Sequence, residues 1–294
     1  MNVAPRFDLP ADPAALRERI DIVTEVARAS GALQPIATAV ETVEDEAVPY
    51  ALRIVDSLRR KPPAGSASAA TSSSRANPFL PYDPTLYVAH LPQRHVLLLN
   101  KFPVIEPHAL IVTEAFEAQS APLSPANCAA TAVVLGLLGG LVFYNAGAIA
   151  GGSQPHRHLQ WVPATLDAER RGLPVSAAVL AALTEAAVGD VCVARLPFRH
   201  ALTAVPVLDA ESLHAAYRRL LSAIGRDPDA GRCEDYNGLI APGWMMLVPR
   251  TQAALDGISI NALGFAGTLL LRDAAQRERA RRIGVAALLR AVTA

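Results

Sequence analysis

Residues 151–160 read GGSQPHRHLQ. On a β-strand, residues two apart share a face, so His156, His158 and Gln160 point one way and Arg157, Leu159 and Trp161 the other. Pro155 brings no N–H to a ladder and marks where the strand begins. Three polar side chains on one face, entered through glycines, leave three readings open. The strand has a solvated polar side, which is ordinary. Alternatively, His-x-His supplies two zinc ligands, which requires a third from elsewhere because Gln160 is a poor one. In the third reading, an imidazole attacks phosphorus and forms an adduct labile enough to turn over. That chemistry needs donors for the phosphate oxygens. Successive backbone N–H groups at Gly151, Gly152, Ser153 and Gln154 are suited to it, and glycine permits the close approach.

The surrounding pattern places this strand in a mixed fold. Residues 13–30 and 39–60 repeat apolar residues every three or four positions and are expected to be helices. A flexible Ser/Ala-rich loop at 62–76 follows. It separates Lys61 from Asn77, and it is either a lid over the site or disordered filler. TLYVAHL, RHVLLLN and HALIVTE then have the texture of strands. Ser124 followed by Pro125 is a helix start, and that helix is expected to reach Phe143. The second half is expected to hold helices near 174–187, 209–224 and 273–292 and a strand near 196–205. YNGLIAPGWMMLVPRT, 236–251, is expected to form two strands joined at Pro-Gly. Hairpins mixed with helices argue for an α+β fold with a largely antiparallel sheet.

Bulk properties narrow the function. The chain has 294 residues, a 51% apolar content and a formal net charge of +0, so no global field attracts nucleic acid or a membrane surface. Any phosphate site must be built locally. Cys128, Cys192 and Cys233 are far apart and are expected to be free thiols in the cytoplasm. MNVAPRFDLP has no apolar core of a signal peptide. The apolar run at 129–144 is short of the ~20 residues that span a bilayer and contains Gly136, Gly139 and Gly140, so a buried helix is expected instead.

Collinear blocks carry a family resemblance. HRHLQ resembles the His-x-His-x-Gln signature of the transferase branch of the histidine-triad superfamily. FYNAGAIAGGSQPHRHLQWVP, NPFLPYDPTLYV, HVLLLNKFPVIEPHALIVT, YNGLIAPGWMMLVPR and ISINALGFAG resemble the diadenosine tetraphosphate phosphorylases, or ATP adenylyltransferases, over about residues 50–270. The resemblance implies a histidine-triad/GalT-like α+β fold, with a catalytic region at 1–189 and an ATP adenylyltransferase region at 190–294 packed on the same core. It implies that His158 is the nucleophile on an α-phosphorus, that His156 orients the site, and that Gln160 stands where hydrolases of the superfamily carry a third histidine. It places Lys61, Asn77, Asn100, Lys101, Asn145, the Gly151–Gln154 loop, Met246 and Arg250 at the substrate. Lys61 and Arg250 are alternatively surface charges, Met246 a core residue, and Asn145 a helix end. His90, His95, His108, His200 and His214 are expected to be structural or surface residues.

The expected partners are dinucleoside polyphosphate, ATP, ADP and inorganic phosphate, handled by a monomer or small homo-oligomer. A divalent cation, Mg²⁺, is expected to travel with the substrate phosphates and to need no protein cage. The competing functions are a hexose-1-phosphate uridylyltransferase, a dinucleoside polyphosphate hydrolase, a non-catalytic nucleotide sensor and a zinc protein.

Overall fold

A computed structural model of the chain describes residues 8–55, 77–164, 172–184 and 196–293. It opens with α1 (Pro13–Ala29), capped by the Asp12 side chain and burying Leu16, Ile20, Val23 and Ala27 on one stripe. Where sequence periodicity suggested a second helix, the chain forms a hairpin, β1 (Thr38–Asp45) and β2 (Val48–Val55), paired throughout. The turn sits at Glu46 and Ala47, both at positive φ (47° and 61°), as a two-residue hairpin loop requires. Its β-branched residues prefer the pleated conformation, and the apparent helical spacing carried no cap signal.

The expected strands follow as β3 (Tyr87–Leu91), β4 (His95–Leu99) and β5 (Ala109–Thr113). Next comes α2 (Pro125–Leu138), which Ser124 and Asn127 start with a reciprocal capping box. This helix stops five residues short of the expected Phe143. Gly139 and Gly140 take φ of 64° and 81°, and the chain reverses into β6 (Leu141–Ala146). The apolar run at 129–144 is therefore part helix and part strand. Among the described residues, no helix is long and apolar enough to cross a membrane. The signature strand is β7 (His158–Val162); it begins two residues later than expected, with His156 held before it in an isolated bridge to Ala118.

The second half contributes α3 (Ser176–Thr184), β8 (Ala201–Val205), α4 (Ala210–Ala223), β9 (Tyr236–Ala241) and β10 (Gly243–Pro249). A small hairpin of β11 (Ala254–Leu255) and β12 (Ile258–Ser259) leads to α5 (Ala262–Phe265) and β13 (Thr268–Leu271). The expected final helix is broken at Gly284 (φ 90°) into α6 (Ala274–Ile283) and α7 (Val285–Ala291).

Eight strands form one sheet in the order β3-β4-β5-β7-β6-β9-β10-β8, with every neighbouring pair antiparallel. The fold is α+β, as expected. One face, bearing Leu97, Ile111, Leu159 and Trp161, packs under α1, α2 and α4. The other face carries His158 and Gln160 in its middle. Towards β8–β10 it is covered by α5, α7 and a small sheet of β1, β2 and β13. Towards β3–β5, among the described residues, Phe79 and Tyr82 pack on it beside Tyr87 of β3, and a cleft opens there.

Gly140 fixes the α2–β6 reversal. A methyl there would overlap the Val162 carbonyl oxygen and lie 2.9 Å from the Trp161 indole nitrogen, at a φ that L residues avoid. Gly140→Ala should cost roughly 2 kcal/mol or more of stability by combined strain and overlap, measurable by urea denaturation. A change below about 0.5 kcal/mol would show that the turn is not fixed there.

Candidate active site

β6 and β7 pair from Leu141 opposite Val162 to Phe143 opposite Gln160. Continuing that register would set Asn145 opposite His158, but the ladder stops. The side chain of Gln119 fills the gap. Its Nε2 donates to the carbonyls of Asn145 and His158, both at 3.1 Å, and its Oε1 accepts the His158 N–H at 2.9 Å. The Gln119 segment is itself anchored by Arg157, which the sequence placed on the face away from the histidines. Its side chain is fully buried, paired with Glu117 at 3.1 Å and bonded to the Tyr144 hydroxyl and the Ala121 and Pro122 carbonyls. Gln119 had no sequence signal beyond lying in 118–156, a stretch without Asp, Glu, Lys or Arg.

Among the described residues, His158 has one anchored nitrogen and one without a partner. Nδ1 lies 2.8 Å from the His156 carbonyl oxygen, which can only accept, so Nδ1 carries the proton. The Nε2 lone pair is left, and His158 lines a cleft of about 690 Å³. Burial pushes its pKa down to about 4, so the ring is neutral at physiological pH. A neutral imidazole with its proton held on the far nitrogen is a competent nucleophile.

His156 has no free nitrogen. Its Nε2 faces the Thr113 carbonyl and hydroxyl, both at 2.9 Å, and must donate to the carbonyl. Its Nδ1 accepts from Asn77 Nδ2 at 2.7 Å, with Asn77 Oδ1 held by the Phe79 N–H. Phe79 packs on both histidine rings. His156 thus serves the site through its carbonyl, which holds His158, and not through its ring, which has no lone pair left for a metal. Among the described residues no group of three His, Cys, Asp or Glu could hold an ion.

Gln160 lines the same cleft, and its Oε1 lies 3.1 Å from His108 Nε2. His108 was expected to be a structural or surface residue, yet it touches a signature residue. The available signal was its place eight residues after Asn100, across the mouth of the β4–β5 hairpin. Asn77, Asn100 and Lys101 also line the cleft, and Lys101 is the one cation among its described lining residues.

The glycine loop is narrower as a cradle than its sequence suggests. The Gly151 N–H bonds Ala148 O and the Gly152 N–H bonds Gly147 O, so both turn into the loop. Gly152 has no room for a Cβ, which would lie 2.8 Å from the carbonyls of Asn145 and Gly147. The N–H groups of Ser153 and Gln154 remain, at the rim between the main cleft and a smaller one of about 290 Å³.

Three expected site residues lie behind the cleft. Asn145 ends a strand rather than a helix; it is buried, and its Oδ1 accepts from Asn237 Nδ2 and the Ala262 N–H. Met246 is in the core. Arg250 is buried rather than on the surface. Its donors go to Asn237 Oδ1 and to the carbonyls of Ile260, Gln252 and Val292. Asn237 in turn bonds the Ala150 carbonyl, so Arg250 reaches the glycine loop through it. Lys61 and the Ser/Ala loop lie outside the described residues.

A neutral, anchored histidine facing a cleft beside a glycine turn defines a site for group transfer through phosphorus. Comparison with known proteins agrees. Residues 7–181 match the Ap4A phosphorylase N-terminal domain and residues 194–294 the ATP adenylyltransferase C-terminal domain. The chain belongs to the Ap4A phosphorylase family, Ap4A being diadenosine tetraphosphate. It is 28% identical over 263 residues to diadenosine 5',5'''-P1,P4-tetraphosphate phosphorylase 2 of Saccharomyces cerevisiae, covering 76% of each chain. Its fold resembles the crystal structure of yeast Ap4A phosphorylase Apa2 with Ap4A (TM-score 0.76, 24% identity, 93% of this chain and 95% of that one). The Apa2 structure with AMP gives a TM-score of 0.72 at 25% identity, with the same coverage.

Gln119→Leu keeps the volume but strands three buried backbone groups. It should cost about 2 kcal/mol or more in thermal or urea unfolding, and a neutral result would show the gap to be solvated. Burial also lowers the His108 pKa to about 4. The folded protein therefore binds fewer protons than the unfolded chain between pH 6.5 and 4. The stability tied to His108 and His158 is present above 6.5 and lost as pH falls through 4. NMR titration should find both rings unprotonated at about pH 5.5, and titration near 6.5 would contradict their burial.

Proposed function

We propose that this chain cleaves diadenosine tetraphosphate with inorganic phosphate to ATP and ADP, and runs the reverse adenylyl transfer, through a covalent adenylyl-histidine. The observation that carries the reading is the His158 ring, anchored at Nδ1 and open at Nε2. In the first half-reaction the Nε2 lone pair attacks the α-phosphorus. The bond to the bridging oxygen breaks, ATP leaves and AMP stays on the ring. The positive charge that develops on the imidazole is met by the His156 carbonyl, already aligned with Nδ1–H. In the second, a phosphate oxygen attacks the same phosphorus, the P–N bond breaks and ADP leaves.

The surrounding groups take matching roles. The Ser153 and Gln154 N–H groups, the Gln160 NH₂ and the Lys101 ammonium receive phosphate oxygens. A divalent cation, Mg²⁺, accompanies the polyphosphate and neutralises its charge. The donor set fits such an ion: Asp83 is the one carboxylate lining the cleft among the described residues, so the phosphates supply most ligands. Gln160 cannot shuttle a proton, which favours transfer to phosphate over hydrolysis. These features support reading the protein as a member of the transferase branch of the histidine-triad superfamily. Cys128 and Cys233 are free thiols, which suits the cytoplasm, and Cys192 lies outside the described residues. The protein's partners are small phosphates rather than nucleic acid or membrane, and a monomer or small homo-oligomer suffices.

One incubation with diadenosine tetraphosphate, phosphate and Mg²⁺ tests the reading. ATP and ADP in equal amounts are expected; AMP as the main product would indicate a hydrolase. His158→Ala should abolish turnover, at least about 10⁴-fold, and retained activity would defeat the covalent route. Gln160→His should raise the share of AMP among the products, and an unchanged ratio would remove the account of Gln160.

A further inference from the structure

We propose that His108 is a positioning residue for the transfer step, holding Gln160 so that its NH₂ and not its carbonyl faces the substrate phosphates. This rests on the transferase reading above. The proton assignments start at a fixed point, the backbone N–H of Phe102, which donates to Asn100 Oδ1 at 3.3 Å. The Asn100 NH₂ is therefore turned to the His108 ring, 3.2 Å from Nδ1 and 3.5 Å from Nε2, and the nearer nitrogen, Nδ1, accepts. A neutral imidazole accepting at Nδ1 carries its proton on Nε2. That Nε2–H donates to Gln160 Oε1 at 3.1 Å, so the amide nitrogen is left for the cleft.

Each step in this chain is held by something more rigid than itself. The Asn100 N–H bonds the His108 carbonyl at 2.9 Å, which fixes the pair across the hairpin mouth. Leu110 lies directly opposite Gln160 in the sheet, and His108 is two residues before it on the same face. His108 is buried, and burial keeps it neutral, so it has a single proton to place. A glutamine amide without this donor can turn over about its last torsion. It would then present an oxygen lone pair to a polyphosphate, an arrangement that repels.

A double-mutant cycle tests this, with turnover of diadenosine tetraphosphate in phosphate and Mg²⁺ as readout. His108→Ala should lower kcat about tenfold, the worth of one good buried hydrogen bond, and leave KM within about threefold. The double variant with Gln160→Ala should be no slower than Gln160→Ala alone, since there is then no amide to orient. His108→Gln, whose amide can donate to the same oxygen, should recover part of the loss. Losses that add in the double variant would overturn the proposal. Because His108→Ala can fail to fold, ¹⁵N NMR of the histidines in the unmodified protein gives a second reading: an Nε2–H tautomer at His108 is expected, and Nδ1–H would overturn it. A protein inert towards the substrate but carrying the Nε2–H tautomer would defeat the transferase reading alone. An active protein with additive variants would defeat the His108 role alone.

Discussion

Between Asn145 and His158 the central sheet opens, and one glutamine amide closes the gap. Two strands cannot diverge inside a protein without stranding the backbone groups that would have paired, at about 1–3 kcal/mol each. Gln119 meets three of those groups with a single side chain. The opening matters because the residues around it are the chemical ones. With β6 drawn away from the His158 backbone, the chain between them is free to form the glycine loop, and the His158 ring faces a cleft instead of a neighbouring strand. Arg157 holds this arrangement from behind. A buried guanidinium needs its charge and donors met, and Glu117, Tyr144 and two carbonyls of the Gln119 segment do so together.

The three histidines of the site are kept in defined tautomers by carbonyls and amides rather than by carboxylates. Asn77 and Asn100 use the same device: each gives its oxygen to the N–H two residues ahead and its NH₂ to a histidine Nδ1. The two histidines they fix then donate from Nε2, His156 to Thr113 and His108 to Gln160. His158 is the opposite case, with Nδ1 donating and Nε2 bare. A carboxylate partner would raise the pKa of a ring beside it. Neutral partners and burial instead leave His158 unprotonated, which a nucleophile requires.

Much of this was legible in the sequence where a short local rule applied. Ser124-Pro125 started a helix, the three aliphatic runs after residue 84 became strands, and His158 and Gln160 share a face because a strand has period two. Legibility failed where the deciding contact was distant. Residues 39–60 showed helical spacing, but β2 is held by β13, more than two hundred residues away. The expected helix to Phe143 ignored two adjacent glycines, which together outweigh the apolar run. Arg157 alternates away from the histidines as a solvated residue would, and only the fold shows what buries it. His108 looked like any other histidine because its partner, Gln160, lies 52 residues on.

Arg250 shows why both halves of the chain belong to one site. Its guanidinium is buried with amide and carbonyl oxygens as partners, and burial lowers its pKa to about 10, so the charge persists at neutral pH. One of those carbonyls, Val292, caps the C-terminal end of α7, where the helix dipole is negative. The charge is thus balanced by the end of α7, while its Nη1 holds Asn237, and Asn237 holds both Asn145 and the Ala150 carbonyl. Those two groups flank the turn that ends in Ser153 and Gln154. The glycine loop, although encoded in the first half, is therefore hung from the second. Glycines make the loop possible by fitting where no Cβ can go, but they cannot hold it in place, and the holding falls to a buried cation a hundred residues further on.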